Sequence, residues 1–353
     1  MFKKELEKIV NYSTHLFQAK IKADANENLL DYPSNLRQIL RKTVEEVFEK
    51  MRYYPQIDSE NLRKSLADFY KLEKENFIVS NGSDELIRLI IQATCYPGDN
   101  ILSTYPSFAM YRISANTFGV NHVPFPITDK WDLDVEKLIF VAKAMSNLKV
   151  IFIDTPNNPL GIAYSVEKLE CLIKNLQDVL VVIDNAYGEY CDVDYFPLLK
   201  YPNVVLLKTF SKLGFAGLRC GYAISSKVNI EFLSKIKPPY NVNIFAQEIC
   251  IKVLENFDLL RENISLITKE RESMIQKLKP YYFVPPSKAN FVSIIDSNCQ
   301  YLYEKLKANE ILVKLFSFDD FKLLRITLGK PEDNRTILDL LLASKGGDRN
   351  ATS

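Results

Sequence analysis

Apolar residues along this chain fall into two patterns. The first is a set of short, unbroken runs rich in β-branched side chains: Phe77-Ile78-Val79-Ser80, Ile101-Leu102-Ser103, Val150 to Ile153, Val179 to Ile183 and Val204 to Leu207. The second repeats at helical spacing. Leu36, Ile39, Leu40, Val44, Val47 and Phe48 share one side of a helix from Leu36 to Lys50. Ser59 to Tyr70, with Ser59 at the N-cap, Leu86 to Thr94 and Val166 to Asn175 read the same way. A further helix is expected to open at Tyr105-Pro106-Ser107-Phe108, and a short one at Phe2 to Val10. Continuous apolar strands alternating with helices predict an α/β fold whose mainly parallel sheet is covered by helices on both faces.

The rhythm changes near Ser225. A long helical stretch, Ala246 to Leu278, precedes a strand at Asn290 to Ile295, a helix at Tyr301 to Ala308, a strand at Leu323 to Thr327 and a helix at Arg335 to Leu342. The expected organisation is a large domain at 31–250 and a smaller α/β domain built from 1–30 and 251–345. The polar tail, 346–353, is expected to be disordered.

The polar residues gather where the predicted strands end. Asp154 to Gly161, Asp184 to Tyr187 and Thr209 to Lys212 each follow an apolar run directly. In open α/β sheets, ligands sit beyond the carboxyl ends of the strands, so three polar clusters converge on one edge. Phe77 to Ser80 followed by Asn81-Gly82-Ser83-Asp84-Glu85 adds a strand, a glycine turn and a helix start, where free N–H groups and the helix dipole favour an anion.

Composition narrows the chemistry. Across 353 residues the formal net charge is +1, with basic residues spread along the chain, so neither nucleic acid nor an anionic membrane is an expected partner. The six cysteines are scattered and read as reduced thiols of a cytoplasmic protein. Only His15 and His122 are present, so a histidine metal site or a Ser-His-Asp triad has little material, and no metal is expected. No G-x-G-x-x-G follows a strand, which disfavours a dinucleotide-dependent oxidoreductase.

Lys212, inside LLKTFSKLGFAGLRCG, is the candidate centre. A deprotonated lysine forms a Schiff base with an aldehyde, and Gly214, Ala216 and Gly217 allow close approach of a bulky group. A pyridine aldehyde bearing a phosphate would need more. Asp184 is placed to face the ring nitrogen, Asn158 and Tyr187 are candidates for a ring hydroxyl, and Phe108 offers an aromatic face. Ser83, Asp84, Thr209, Ser211 and Arg219 could cradle the phosphate, the arginine bidentately.

Thr155-Pro156-Asn157-Asn158-Pro159-Leu160-Gly161, Asp184-Asn185-Ala186-Tyr187 and Ser211-Lys212 through Arg219 resemble the motif series of fold-type I pyridoxal-phosphate aminotransferases. Asn26-Glu27-Asn28, Arg52-Tyr53-Tyr54-Pro55, Gly82-Ser83-Asp84-Glu85, Phe108-Ala109-Met110-Tyr111, Asn290-Phe291 and Leu324-Arg325-Ile326-Thr327 resemble the histidinol-phosphate aminotransferase branch. The resemblance extends to about Leu342. It implies pyridoxal 5′-phosphate on Lys212, and amino transfer between L-histidinol phosphate, a phosphorylated amino alcohol, and 2-oxoglutarate, yielding glutamate. It implies a homodimer in which Tyr54 reaches the partner's cofactor phosphate. Arg325, assisted by Tyr12 and Asn28, would hold the substrate. Asn11, Leu29-Leu30, Leu160 and Asn185 depart from the family pattern, and Lys314 lies where some members carry a second arginine. Transfer from an aromatic amino acid or another phosphorylated amine, and decarboxylation of a phosphorylated amino acid, remain open alternatives.

Overall fold

The computed structural model describes residues 19–346. Its strands are β1 (Ile21–Ala23), β2 (Phe77–Ser80), β3 (Asn100–Tyr105), β4 (Asn121–Pro126), β5 (Leu148–Asp154), β6 (Leu180–Asp184), β7 (Val204–Thr209), β8 (Gly221–Ser225), β9 (Phe291–Ile295), β10 (Ile311–Ser317) and β11 (Lys322–Thr327). Seven of them form one sheet in the order β2-β8-β7-β6-β5-β3-β4, and four form a second in the order β1-β10-β11-β9. The chain belongs to the α/β class expected of its sequence.

The unbroken apolar runs serve two cores at once. Side chains alternate across a strand, so Val150 and Phe152 of β5 enter one layer while Ile151 and Ile153 enter the other. The helix Ser83–Thr94 covers the first layer with Leu86, Ile87, Ile90 and Ile91. Helices Glu60–Tyr70, Val166–Asn175 and Ile244–Glu255 cover the other. Strands β3 to β7 run parallel, whereas β8 is antiparallel to both β2 and β7. The physical cause is the 210–220 connection between β7 and β8. It is a compact loop of 3-10 turns, too short for the crossover that parallel pairing requires.

After β3 and β4 the chain returns to place β5 on the other side of β3, followed outward by β6 and β7. A crevice therefore opens between the ends of β3 and β5, the kind of reversal point at which α/β sheets bind ligands. The smaller sheet packs on its own core. Ile267, Met274, Ile275 and Leu278 come from helix Asp258–Leu278, and Val292, Ile294, Leu324 and Ile326 from β9 and β11.

Several local expectations are corrected. The stretch from Ala246 to Leu278 is two helices, because Asn256 leaves helical geometry and its side-chain amide caps Lys252 O at 2.9 Å. Ser59 stands at a helix start but in the left-handed region and makes no capping bond; Gln56 Oε1 accepts from Asn61 N instead, at 2.8 Å. The helix expected from Tyr105 begins at Met110. Strands β1, β4, β8 and β10 were not anticipated; β4 contains Pro124 and Pro126 and is tolerated because it is an edge strand. The expected N-terminal helix at Phe2 to Val10 lies outside the described residues, as does the tail beyond Gly346. Among the described residues, no helix is long and apolar enough to cross a membrane.

Candidate active site

At the carboxyl edge of the large sheet lies a cavity of about 1050 Å³, closed on its far side by β10 and β11. Ser83, Asp84, Phe108, Asn158, Asp184, Tyr187, Thr209, Ser211, Lys212, Arg219 and Arg325 all line it. Apart from Arg325, which comes from within β11 of the smaller sheet, these residues are gathered there because each ends, follows or opens a strand or helix at the same edge.

Asp184 is the last residue of β6, buried at 4% exposure. Its Oδ2 accepts from Tyr111 OH at 2.8 Å and its Oδ1 from Ala186 N at 3.2 Å. No lysine or arginine pairs with it among the described residues. Burial pushes its carboxyl up to about 7; the Tyr111 hydrogen bond opposes this, and the Asp154 charge adds to it. A carboxylate so placed is stabilised by any cation brought beside it.

Lys212 sits in the tight turn Ser211–Leu213 after β7, which Gly214 closes with φ of 104°. Its Nζ donates to Ala25 O at 3.2 Å and lies 5.8 Å from the Tyr187 ring centroid. Burial, then the Arg325 charge, lowers the ammonium pKa to about 8, while Asp84 and Glu27 pull it upward. The amine is thus partly deprotonated near neutral pH, as a nucleophile must be.

The anion cradle has a clear mechanical basis. Helix Ser83–Thr94 starts after Gly82 with no capping side chain, leaving its first N–H groups to an outside acceptor. Arg219, itself at φ 50°, pairs with Asp84 Oδ2 at 3.1 Å and presses on Gly82, where a Cβ would stand 2.9 Å from Nη2. Gly221 is equally constrained: a Cβ there would come within 2.7 Å of the Gly82 and Ser83 backbone. Thr209 Oγ1 bonds Ser211 Oγ at 2.9 Å, Ser211 N at 3.1 Å and Cys220 O at 3.2 Å, which folds the lysine turn back on itself. Asp84 orients Arg219, while its own carboxylate would repel an anion.

On the opposite wall, Arg325 of β11 donates from Nη1 to Asn158 Oδ1 and from Nη2 to Asp24 O. Its guanidinium lies between the Phe291 and Phe316 rings, 5.5 and 5.3 Å from their centroids. Lys314 is its register partner on β10 and also lines the cavity. Tyr187 OH accepts from Asn26 Nδ2 at 2.9 Å, and burial raises its hydroxyl pKa to about 12.

Three expected positions stand apart. Asn28 is a correction: its Oδ1 accepts from Leu30 N at 3.1 Å, its Nδ2 donates to Tyr190 OH at 3.3 Å, and it does not line the cavity. Asn26 and Glu27 occupy that edge instead. Tyr54 is 82% exposed, stacks on Tyr240 at 4.8 Å and does not line the cavity. Tyr12 lies outside the described residues. Conversely, Tyr111 and Asn26 hold Asp184 and Tyr187 without having been singled out for it. Tyr111 stands in the first turn of the helix that begins at Met110, but an aromatic there reads equally well as core.

The donor set fits a phosphorylated pyridine aldehyde. A buried carboxylate without a cation suits a protonated ring nitrogen, an uncapped helix start with an arginine suits a phosphate, and a partly neutral lysine suits the aldehyde.

Comparison with known proteins agrees. Residues 18–341 match the family described as Aminotransferase class I and II. A protein of Ruminiclostridium cellulolyticum named histidinol-phosphate aminotransferase is 34% identical over 353 residues, covering 97% of this chain and 98% of the relative. One of the same name from Pyrococcus furiosus is 35% identical over 324 residues, 91% of each. The crystal structure of histidinol-phosphate aminotransferase from Sinorhizobium meliloti in complex with pyridoxal-5′-phosphate aligns with a TM-score of 0.87 at 20% identity, over 96% of this chain and 95% of that one. At that identity the likeness concerns the fold.

The charge arrangement predicts how Lys212 titrates. In cofactor-free protein, reductive methylation of Lys212, followed by peptide mapping across pH, should show a midpoint near 8. Arg325→Gln removes a positive neighbour that disfavours the ammonium, so the midpoint should rise. A midpoint near the ordinary 10.5, or a fall in the variant, would contradict this electrostatic account.

Proposed function

This chain belongs to the class I and II aminotransferase family, and from that membership we propose that it transfers the amino group of L-histidinol phosphate to 2-oxoglutarate. Its architecture is the fold-type I arrangement, and its cofactor is pyridoxal 5′-phosphate. When bound, the cofactor supplies a ring that accepts the electron pair left at the substrate's α carbon.

The chain's own groups supply the rest. Lys212 Nζ would anchor the cofactor through its aldehyde carbon and, once released, would act as base toward the substrate α carbon and as acid toward that former aldehyde carbon. Asp184, held by Tyr111, keeps the ring nitrogen protonated. Asn158 and Tyr187 would hold the ring hydroxyl, and Phe108 would offer its face to the ring. The uncapped start of helix Ser83–Thr94, with Ser211, Thr209 and Arg219, takes the cofactor phosphate.

The observation that carries the substrate assignment is the pairing of Arg325 with Lys314 on adjacent strands facing the cavity. Arg325 offers a planar fork that suits a carboxylate or a phosphate, so it serves the glutamate half-reaction and the phosphorylated one in turn. Lys314 adds a point charge. The names carried by the relatives support the same donor.

The surface supports a reading of how the chain assembles. Phe48, Met51, Tyr53, Tyr54 and Ile57 form an exposed apolar strip, continued by Tyr240. In our reading a second copy covers it, which carries Tyr54 to the partner's cofactor phosphate.

Two experiments test these readings. In single-turnover reactions, Arg325→Lys should slow both half-reactions and Lys314→Ala mainly the one with histidinol phosphate. A lost charge-assisted contact is worth roughly 1.5–3 kcal/mol, or about tenfold to a hundredfold in kcat/KM. Faster reaction with phenylalanine than with histidinol phosphate would leave an aromatic aminotransferase, and CO₂ release in place of glutamate formation would leave a decarboxylase. For assembly, mixing Tyr54→Phe and Lys212→Ala proteins should restore part of the activity, because one site per mixed dimer is wholly wild type. An active monomer in sedimentation would overturn the shared site.

A further inference from the structure

The cavity lining includes a second carboxylate that the reaction does not use directly. Asp154 ends β5, is 3% exposed, and is the register partner of Asp184 on β6. Its Oδ1 accepts from Ser107 Oγ at 2.8 Å, Asn157 Nδ2 at 3.0 Å and Thr104 Oγ1 at 3.1 Å, and its Oδ2 accepts from Asn158 N at 2.8 Å. These donors belong to β3, to the turn after β3 and to the turn after β5. No lysine or arginine pairs with Asp154 among the described residues.

We propose that Asp154 is a positioning residue whose carboxylate ties together the two turns that carry Phe108 and Asn158 into the cavity. Ser107 immediately precedes Phe108, and Asn158 is held by its own backbone N–H. Asn157 strengthens the tie, since its amide also donates to Pro106 O at 3.0 Å. The chemistry calls for a carboxylate. Four donors converge on two oxygens, which together offer about four lone-pair sites, whereas an amide or hydroxyl oxygen offers about two. Burying a charge this way is costly unless hydrogen bonds compensate it, and here they come from the two turns to be fixed. The donors oppose the upward push that burial gives the Asp154 carboxyl. Its negative potential also reaches Asp184 and favours a cation beside that group.

The proposal rests on the cofactor reading, so its test separates the two. The probe is pyridoxine 5′-phosphate, which has the ring and phosphate but no aldehyde, titrated into cofactor-free dimer. Asp154→Asn keeps the shape but turns one acceptor into a donor facing donors. It should weaken binding by about tenfold or more and diminish the visible circular dichroism of the holoenzyme chromophore. Ser107→Ala, which removes one donor only, should do both to a smaller degree and keeps the test decisive if Asp154→Asn does not fold. The double variant should be no worse than Asp154→Asn alone, since both act through one contact. A purely architectural Asp154 would lower the melting temperature of the cofactor-free protein and leave probe affinity and dichroism as in wild type; that result, or fully additive losses, would overturn the proposal. Wild-type protein that binds neither the probe nor pyridoxal phosphate would overturn the cofactor reading and this proposal with it.

Discussion

The carboxylate of Asp184 imposes the constraint around which the site is arranged. It is shut away from water, held by one phenol and one backbone N–H, and lies in the field of Asp154. An ionised group in that position costs free energy until a cation lies beside it. The protein places no side-chain cation there among the described residues. Its positive groups, Arg112, Lys212, Arg219, Lys314 and Arg325, stand around the cavity walls instead. A negative floor and a positive rim suit a ligand that is cationic at one ring atom and anionic at its phosphate. This is the charge pattern of the cofactor on which the reaction depends.

The sheet delivers this arrangement because apolar strand interiors leave polar residues only at strand ends. The loop after β6 is then locked from behind. Asn185 donates to Thr155 O at 2.8 Å and accepts from Lys208 Nζ at 3.1 Å, and Lys208 pairs with Glu189 Oε1 at 2.9 Å. The buried Lys208 ammonium is held above its ordinary range by Glu189, against the cost of burial. Asn185 stands where the resembled family commonly has glutamate, and this geometry accounts for it: an amide can both donate to the Thr155 carbonyl and accept from the lysine. Gly188 completes the lock, since a Cβ there would collide with the Asn185 amide.

Much of this was legible in the sequence. Asp184, Lys212 and Asn158 belong to polar clusters that come just after apolar runs, so strand-end logic alone brings them to one edge. The helix start at Ser83 was visible from its glycine turn. What the sequence concealed depends on tertiary partners. Asn26 and Asn28 are chemically identical and two residues apart; only the fold shows that Asn26 reaches Tyr187 while Asn28 is consumed by Leu30 and Tyr190. Tyr111 looks like core because it is core, with a hydroxyl that happens to meet Asp184. Strand β4 was hidden by its prolines, and β8 by the glycine-rich loop that leads into it. The role proposed for Tyr54 needs a second chain, so neither the sequence nor one chain's geometry displays it.

The central claim is that the amine at the end of β7 carries the cofactor, and borohydride reduction tests it most directly. Reduction of the yellow holoenzyme, followed by digestion and peptide mass analysis, should place a pyridoxyl group on Lys212, and Lys212→Ala protein should acquire none. A label on Lys208, Lys314 or any other lysine, or retention of the label in the variant, would contradict the account.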